Sequence, residues 1–216
     1  MRLVTLPGVF RPPSDSWLVV DAVREHGLAR GASVLDVFTG SGVLAVGAAL
    51  AGAREVTAVD VSRRAVLTTR LNARLNGVRV RALRGDLFAP VAGDRFDLIL
   101  ANPPYVPGES DAIPRRGAAR AWEAGRDGRA LLDRFCPAVA AHLEPGGRVL
   151  VVQSSLSGED ATLTALAQVG LAAEVMVRRR GGLGPIVSAR AQALESRGLL
   201  APGEREEDLL VIEGRA

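Results

Sequence analysis

Residues 34–42 read Val-Leu-Asp-Val-Phe-Thr-Gly-Ser-Gly, an apolar stretch that runs directly into a glycine-rich turn. The apolar residues predict a buried strand, and the uncharged residues that follow predict a helix. Gly40 and Gly42 allow the backbone to take dihedral angles that a Cβ atom would penalise, and to pass close to a ligand. Because ligands of open α/β sheets bind beyond the carboxyl ends of the strands, this turn is a candidate binding site.

Outward from this turn, short apolar runs alternate with amphipathic helical stretches along the whole chain. This alternation is typical of an α/β fold with a mostly parallel sheet and helices on both faces. The last two strands lack an ordinary crossover helix, so we expect them to form a C-terminal antiparallel hairpin. Seven strands are predicted, at residues 33–37, 55–59, 78–84, 96–101, 148–153, 172–178 and 208–212.

Polar residues with capping potential mark the predicted helices. Ser62 can cap a helix that ends near residue 75, and Asp127 can cap one over residues 128–142. Ser14 or Asp15 can begin an N-terminal helix. The sequence contains no repeat or linker, so a single domain is expected over its 216 residues.

Residues 181–203 interrupt the predicted hairpin as an insertion between the last two strands. They open with a glycine-rich stretch and are predicted to be helical from about residue 186 to residue 196. Such an insertion can be a surface excursion or a substrate lid, and the sequence leaves both open. The single domain of residues 1–216 is thus expected to contain an N-terminal segment of residues 1–30, a core of residues 31–180 and the insertion of residues 181–203.

The composition limits the possible ligands and compartments. All 27 basic residues are arginine, the net charge is only +3, and the clearest basic cluster is Arg178–Arg180. Nucleic-acid binders usually carry a concentrated basic face, so nucleic acid is possible but not favoured. The first residues lack the apolar core of a signal peptide, and residues 37–53, though uncharged, are too short and too rich in glycine for a membrane span. We expect a cytoplasmic protein without a membrane segment.

A metal site is not expected. Cys136 is the single cysteine, which excludes an internal disulfide and a cysteine-based zinc site. His26 and His142 do not have the spacing of metal ligands. Each follows an apolar helical stretch, where a histidine at a helix end is the ordinary interpretation.

The glycine turn is compatible with two cofactors. Gly40, Gly42 and Ala45 fit the G-x-G-x-x-A dinucleotide pattern, and Asp60 follows about where a ribose-binding acid is expected. NAD and S-adenosylmethionine therefore both remain open on this segment alone. Asp36 favours S-adenosylmethionine, because a carboxylate there would repel a pyrophosphate at the helix N-terminus. It would attract the cationic amino end of S-adenosylmethionine, directly or through a water molecule.

Two further acids stand at predicted strand ends. Asp60, followed by Val61, can accept hydrogen bonds from both ribose hydroxyls through its carboxylate. Capping of the next helix is the alternative role for Asp60. After the third strand, Asp86 can accept a hydrogen bond from the adenine amine, while Leu87 packs on the ring.

The most specific motif is Asn102-Pro103-Pro104-Tyr105, which follows the apolar strand of residues 96–101. The prolines stiffen the turn and leave their carbonyls free as acceptors. The Asn102 side-chain oxygen and the Pro103 carbonyl can accept both protons of an incoming NH2 group, which directs its lone pair toward a methyl carbon. Tyr105 offers a flat face to a planar acceptor. Direct displacement from a sulfonium needs no metal, so positioning and desolvation are expected to provide the catalysis.

Taken in order, D-x-F-x-G-x-G, the strand-end Asp60, G-D-L and N-P-P-Y resemble the HemK family of glutamine methyltransferases. The resemblance implies a Rossmann-like class I methyltransferase fold and S-adenosylmethionine as cofactor. It also implies a protein substrate, since the family methylates the glutamine of the Gly-Gly-Gln loop in translation release factors. It extends well over residues 9–152.

The match looks closest to the short form of the family, which is found with eukaryotic and archaeal release factors and lacks an extra helical domain. Residues 9–17 resemble its opening, where the residues matching Pro12, Asp15 and Ser16 lie near the cofactor. Residues 1–30 are therefore expected to cover the cofactor. Residues 122–128 also resemble the family. Ser14 departs from it, because an acidic residue is more common there. The short form works with a small zinc-binding activator subunit, which makes such a partner possible here.

The resemblance and the residues together give the predicted site. Catalysis is assigned to Asn102, Pro103 and Tyr105, and these three with Pro104 are expected to bind the acceptor. Cofactor binding is assigned to Asp15, Ser16, Asp36, Phe38, Gly40, Gly42, Asp60, Val61, Asp86, Leu87 and Asn102. Two alternatives remain open: methylation of an exocyclic amine on an RNA or DNA base or a small molecule, and, more distantly, an NAD-binding oxidoreductase.

Overall fold

A computed structural model describes residues 1–10, 14–114 and 117–216 of the chain. Pro12, which the family resemblance assigned to the cofactor region, lies outside the described residues. The strands are β1 (Ser33–Val37), β2 (Glu55–Asp60), β3 (Arg81–Arg84), β4 (Phe96–Ala101), β5 (Leu143–Ser154), β6 (Ala172–Gly182) and β7 (Glu206–Arg215). The α-helices are α1 (Ser14–Glu25), α2 (Val43–Leu50), α3 (Arg63–Leu75), α4 (Leu132–Val139), α5 (Glu159–Gln168), α6 (Pro185–Ala189) and α7 (Ala191–Ser196).

The seven strands form one sheet in the order β3-β2-β1-β4-β5-β7-β6. Strands β1 to β5 pair in parallel, whereas β7 runs antiparallel to both β5 and β6. The predicted mostly parallel sheet with a C-terminal antiparallel hairpin is therefore confirmed.

Helices cover both faces of this sheet, as predicted. Alternate residues of the central strands point to opposite faces, so Val34 packs with α1 and α2 while Leu35 packs with α4 and α5. Apolar side chains from both sides of β1, β4 and β5 are fully buried, which is the pattern of a parallel sheet covered on both faces. The core thus fixes where each strand ends, and the strand ends position the site.

The last three strands are longer than predicted, because β5 begins at Leu143, β6 extends to Gly182 and β7 covers Glu206–Arg215. Two other predicted boundaries are wrong for local reasons. The helix expected over residues 128–142 begins only at Leu132. Gly128 has a left-handed φ of 74°, and the Asp127 carboxylate accepts the Arg129 N–H at 2.9 Å to close a turn instead of capping a helix. The third strand begins at Arg81, not at residue 78, because the Val78 N–H bonds to Ala73 at the end of α3.

The insertion between β6 and β7 contains two short helices where one was predicted. The chain bends at Arg190, whose ψ of 3° lies outside regular helix and separates α6 from α7. Their apolar side chains form a small third core with Val106, just after the predicted acceptor turn. The insertion is therefore packed against the ligand edge of the sheet.

Candidate functional site

A cavity of about 1420 Å³ lies at the carboxyl ends of the parallel strands. The structure brings most of the predicted site residues together on its wall, whereas Asp36, Gly42 and Leu87 do not line it. The lining residues among those predicted are Asp15, Ser16, Phe38, Gly40, Asp60, Val61, Asp86, Asn102, Pro103, Pro104 and Tyr105.

The glycine turn leaves β1 through residues with left-handed backbone. Phe38 has a φ of 64° and Gly40 one of 53°, a conformation that is uncommon for a residue with a side chain. Gly42, with a φ of 81°, lies behind the turn. A Cβ atom on Gly42 would come within 2.8 Å of Thr69 in α3. Gly42 is thus needed for the turn geometry and for close packing of α3.

Asp36 is fully buried behind this turn. Its Oδ2 accepts hydrogen bonds from the Thr39 hydroxyl at 2.6 Å and the Ala45 N–H at 3.0 Å. Its Oδ1 has no hydrogen-bond partner among the residues that the structure describes. Burial raises the pKa of Asp36 to about 7, although both hydrogen bonds oppose the rise. Asp36 therefore holds the turn directly, and its unsatisfied oxygen suits a cationic group or a water molecule rather than a pyrophosphate.

Asp60 connects the end of β2 to the same turn. Its Oδ2 accepts the Gly40 N–H at 3.0 Å, and its Oδ1 accepts the Ser62 N–H at 2.8 Å. Burial raises the pKa of Asp60, opposed by these hydrogen bonds and by the positive charge of Arg120. Ser62 is the N-cap of α3, because its side chain accepts the Ala65 N–H. Asp60 therefore faces the cavity with carboxylate oxygens that can each accept a further hydrogen bond.

The predicted adenine contacts are only partly supported. Asp86 lines the cavity, with its Oδ2 at 2.6 Å from the Arg134 guanidinium. Leu87 has a φ of 49° and packs against the apolar core between the sheet and helices α4 and α5. Its side chain does not line the cavity. Leu131 lines the cavity instead. The adenine contacts of Asp86 and Leu87 therefore stay predictions.

The turn after β4 is tied to the start of α1 by two hydrogen bonds. The Asn102 Nδ2 donates to the Ser16 hydroxyl at 2.9 Å, and the Tyr105 hydroxyl donates to Asp15 Oδ2. This bond orients the Asn102 amide through its donor group, and Oδ1 is the side-chain atom that can accept from a ligand. The turn is thus oriented by Asp15 and Ser16 of α1, whose expected place near the cofactor stays a prediction.

Burial sets the charge state of this pair. It raises the pKa of Asp15, while hydrogen bonds from Tyr105, Ser16 and Asn102 oppose the rise. Burial and the adjacent Asp15 carboxylate hold the pKa of Tyr105 well above its usual value. Tyr105 therefore remains a protonated donor. Its ring packs between two apolar clusters while it lines the cavity, so its position is more constrained than a free stacking face would require.

Two features of the acceptor side were not found from the sequence. Glu207 lines the cavity and accepts hydrogen bonds from the Ser154 hydroxyl and the Gly184 N–H. Arg190 of the insertion binds Glu123, whose carboxylate lies 2.9 Å from its Nη2. These partners lie tens of residues apart in the sequence, so no local pattern could have identified them.

Neither a candidate metal cluster nor a membrane-spanning helix occurs in the described part of the chain. Residues 1–10, 14–114 and 117–216 hold no cluster of three or more His, Cys, Asp or Glu residues that could bind a metal ion. Within the same ranges, no helix has the length and apolar character needed to cross a membrane.

The chain is similar in sequence to known methyltransferases. A family model described as "Methyltransferase small domain" matches residues 1–121. The "Putative protein N5-glutamine methyltransferase MJ0928" of Methanocaldococcus jannaschii is 35% identical over 178 residues, which are 82% of this chain and 88% of that protein. The "Release factor glutamine methyltransferase" of Bordetella pertussis is 38% identical over 181 residues, which are 80% of this chain and 66% of that longer protein.

A solved structure supports the fold. The E. cuniculi Mtq2–Trm112 complex, described as responsible for the methylation of the eRF1 translation termination factor, superposes with a TM-score of 0.65. The match covers 96% of this chain and 98% of that chain at 22% identity. At this identity the similarity concerns the fold alone.

Proposed function

This chain belongs to the methyltransferase small domain family and is a HemK-like, S-adenosylmethionine-dependent methyltransferase, and from that premise we propose that it methylates the side-chain amide of a glutamine in a protein. The observation that carries the proposal is the orientation of Asn102. Its Nδ2 donates to Ser16, and this bond orients the amide so that Oδ1 can accept a hydrogen bond from a ligand in the cavity.

The cofactor fits the residues at the ends of β1 to β3. S-adenosylmethionine supplies an electrophilic methyl group on a sulfonium, which a nitrogen lone pair can attack directly. Asp60 can accept hydrogen bonds from the ribose hydroxyls, and Asp86 can accept a hydrogen bond from the adenine amine. The unpartnered Oδ1 of Asp36 lies behind the turn, where it can interact with the amino end of the cofactor directly or through a water molecule. An ionised Asp36 would repel the pyrophosphate of a dinucleotide at the N-terminus of α2.

The turn after β4 can hold the acceptor. The Asn102 Oδ1 and the Pro103 carbonyl can accept the two N–H protons of a glutamine amide, so its nitrogen lone pair points toward the methyl carbon. Two acceptors in fixed positions stabilise the amide with its nitrogen lone pair available for attack. They disfavour delocalisation of that lone pair into the carbonyl group. Asp15 and Ser16 keep the turn in place, and the buried wall excludes water from the reacting nitrogen.

We further propose a translation release factor as the substrate and the cytoplasm as the place of reaction. Support comes from the names of the relatives from M. jannaschii and B. pertussis, the second of which is a release factor methyltransferase. The chain matched in the Mtq2–Trm112 complex has nearly the same extent as this chain, and that structure also contains a second protein. A small activator subunit is therefore part of the proposal.

The test is transfer of a labelled methyl group from S-adenosylmethionine to purified release factors of the source organism, with and without a candidate activator. Asn102→Ala is the control. We expect label in the release factor, located by mass spectrometry on a glutamine side chain and absent with the variant. Label that appears only in RNA or DNA would instead assign this turn to base amines.

A further inference from the structure

The cavity extends past Asn102 onto the β6–β7 hairpin. The candidate cofactor residues follow β1, β2 and β3, which form one half of the sheet, and Asn102 follows β4 in the middle. Arg179, Gly181 and Glu207 line the cavity on the other half. The total volume of about 1420 Å³ exceeds the roughly 300–1,000 Å³ typical of a site for one small ligand. The far half therefore has space for a second ligand.

The three consecutive arginines of β6 have different surroundings. Arg178 pairs with Glu159 and Asp208, and Arg180 pairs with Glu204 and Glu206. Arg179 points to the opposite face of the strand and lines the cavity. It has no ion pair with any residue in the described ranges. Its guanidinium is therefore available to a ligand, unlike those of its two neighbours.

Gly181 lies on the same face of β6 as Arg179 and pairs with Glu207 of β7. Its φ is outside the left-handed region, and a Cβ atom there would meet no atom within 4 Å. Neither backbone strain nor crowding requires a glycine at this position. The missing side chain instead leaves open space on this part of the cavity, here called the cavity floor and formed by Arg179, Gly181 and Glu207. A glycine inside a strand is suited to the close approach of another backbone.

The insertion forms a fixed wall beside this floor. Arg190 of the insertion donates to the Pro107 carbonyl and to Glu123, both at 2.9 Å. Leu194 is fully buried in the small core that also contains Val106. These contacts fasten the wall to the segment directly after Tyr105. A ligand on the floor would therefore lie at a set distance from Asn102, which lowers the ordering cost of binding.

On the basis of the proposed function, we propose that Arg179, Gly181, Glu207 and residues 185–187 form an acceptor groove for an extended polypeptide segment that carries the methylated glutamine. Gly181 admits the main chain of the acceptor. Arg179 binds a carbonyl or carboxylate oxygen of the segment, and the Glu207 carboxylate lies across the strand pair from Gly181. A polypeptide can satisfy both signs of charge, whereas a nucleic acid would bring its phosphates against Glu207.

The test compares Gly181→Leu and Arg179→Ala with matched variants of the neighbouring residue, Arg180→Leu and Arg180→Ala. Cofactor affinity is measured by calorimetry, and steady-state methylation is measured with the purified release factor of the source organism. We expect the acceptor KM to rise about tenfold or more in Gly181→Leu and about threefold to tenfold in Arg179→Ala, as for one lost contact in a buried site. The cofactor affinity of all four variants should stay within about twofold of wild type. The acceptor KM of both Arg180 variants should also stay within about twofold of wild type.

Each other outcome overturns the groove. If wild type methylates the release factor and both groove variants keep its KM, the groove is wrong while the proposed function stands. A loss of cofactor affinity in Gly181→Leu would assign the floor to the cofactor. If wild type labels only nucleic acid, or no acceptor, the proposed function and the groove both fail. Arg179→Ala changes only an exposed side chain, so it remains informative if Gly181→Leu does not fold.

Discussion

The Tyr105 hydroxyl donates a hydrogen bond to Asp15 Oδ2 across 90 residues of sequence. Together with the bond from Asn102 to Ser16, it joins the turn after β4 to the first turn of α1. The helix that precedes the whole sheet therefore orients the turn that we propose to hold the acceptor. Both ends of this tie are buried or half-buried, so its loss would not be compensated by water.

Tyr105→Phe should reduce the free energy of unfolding. The change leaves a buried Asp15 oxygen without its donor, which costs about 1–3 kcal/mol. Urea unfolding of Tyr105→Phe, Asp15→Asn and the double variant measures the coupling between the two residues. If the single effects simply add, the hydrogen bond does not hold the turn.

Asn102→Ala should abolish methyl transfer while it leaves cofactor affinity nearly unchanged. The variant removes the acceptor atom that orients the amide nitrogen, and we expect a loss of about 100-fold or more in kcat. Calorimetry with S-adenosylhomocysteine checks that the cofactor site is intact. Activity equal to wild type would remove the turn from the mechanism.

Asp60→Ala should weaken cofactor affinity by about tenfold to 100-fold, since two ribose hydroxyls would lose a charged acceptor worth about 1.5–3 kcal/mol. Ser62→Ala is the matched control. It removes the cap of α3 and should cost about 1 kcal/mol of stability without a comparable effect on affinity. An unchanged dissociation constant in Asp60→Ala would leave Asp60 with a purely structural role.

Asp36 should make the stability of the free protein depend on pH. Its folded pKa of about 7 lies above an unfolded value near 3.9, so the folded state binds the extra proton. The contribution of Asp36 is fully present below about pH 4 and is lost as pH rises through about 7. Relative to Asp36→Asn, the free energy of unfolding of wild type should therefore fall between pH 5 and pH 7 and level off above about pH 8.

Urea unfolding at several pH values gives this difference. The subtraction matters because burial also raises the pKa values of Asp15 and Asp60, and these residues are the same in both proteins. The variant can keep its amide oxygen toward Thr39 and Ala45 and place its NH2 group at the unpartnered position. A difference that does not change with pH would contradict the raised pKa.

The sequence was most informative where local chemistry and the fold agree. The apolar runs of β1 and β4 predicted those strands with their observed limits, because strands buried on both faces need uninterrupted apolar residues. Ser62 was also a correct helix start. Asp127 shows the limit of such patterns: a capping residue is equally able to close a turn, and the left-handed Gly128 decides between them.

The parts of the site that depend on distant contacts could not be predicted. The sequence does not distinguish the three consecutive arginines Arg178–Arg180 by residue type. Only the pairing of β6 with β7 shows that Arg179 faces the cavity. Similarly, the G-D-L triplet gives no indication that Leu87 turns into the core. For the arginines the facing depends on strand pairing, and for Leu87 the left-handed φ of 49° is a local backbone feature that the triplet does not reveal.

The position of β7 between β5 and β6 also determines the order of events during folding. Strand β6 joins the sheet only through β7, although it is synthesised before β7. Until residues 206–215 have left the ribosome, the edge of β5 stays unpaired and β6 has no strand to join. We therefore expect the half of the sheet that carries Arg179 and Gly181 to assemble after the half formed by β1 to β4.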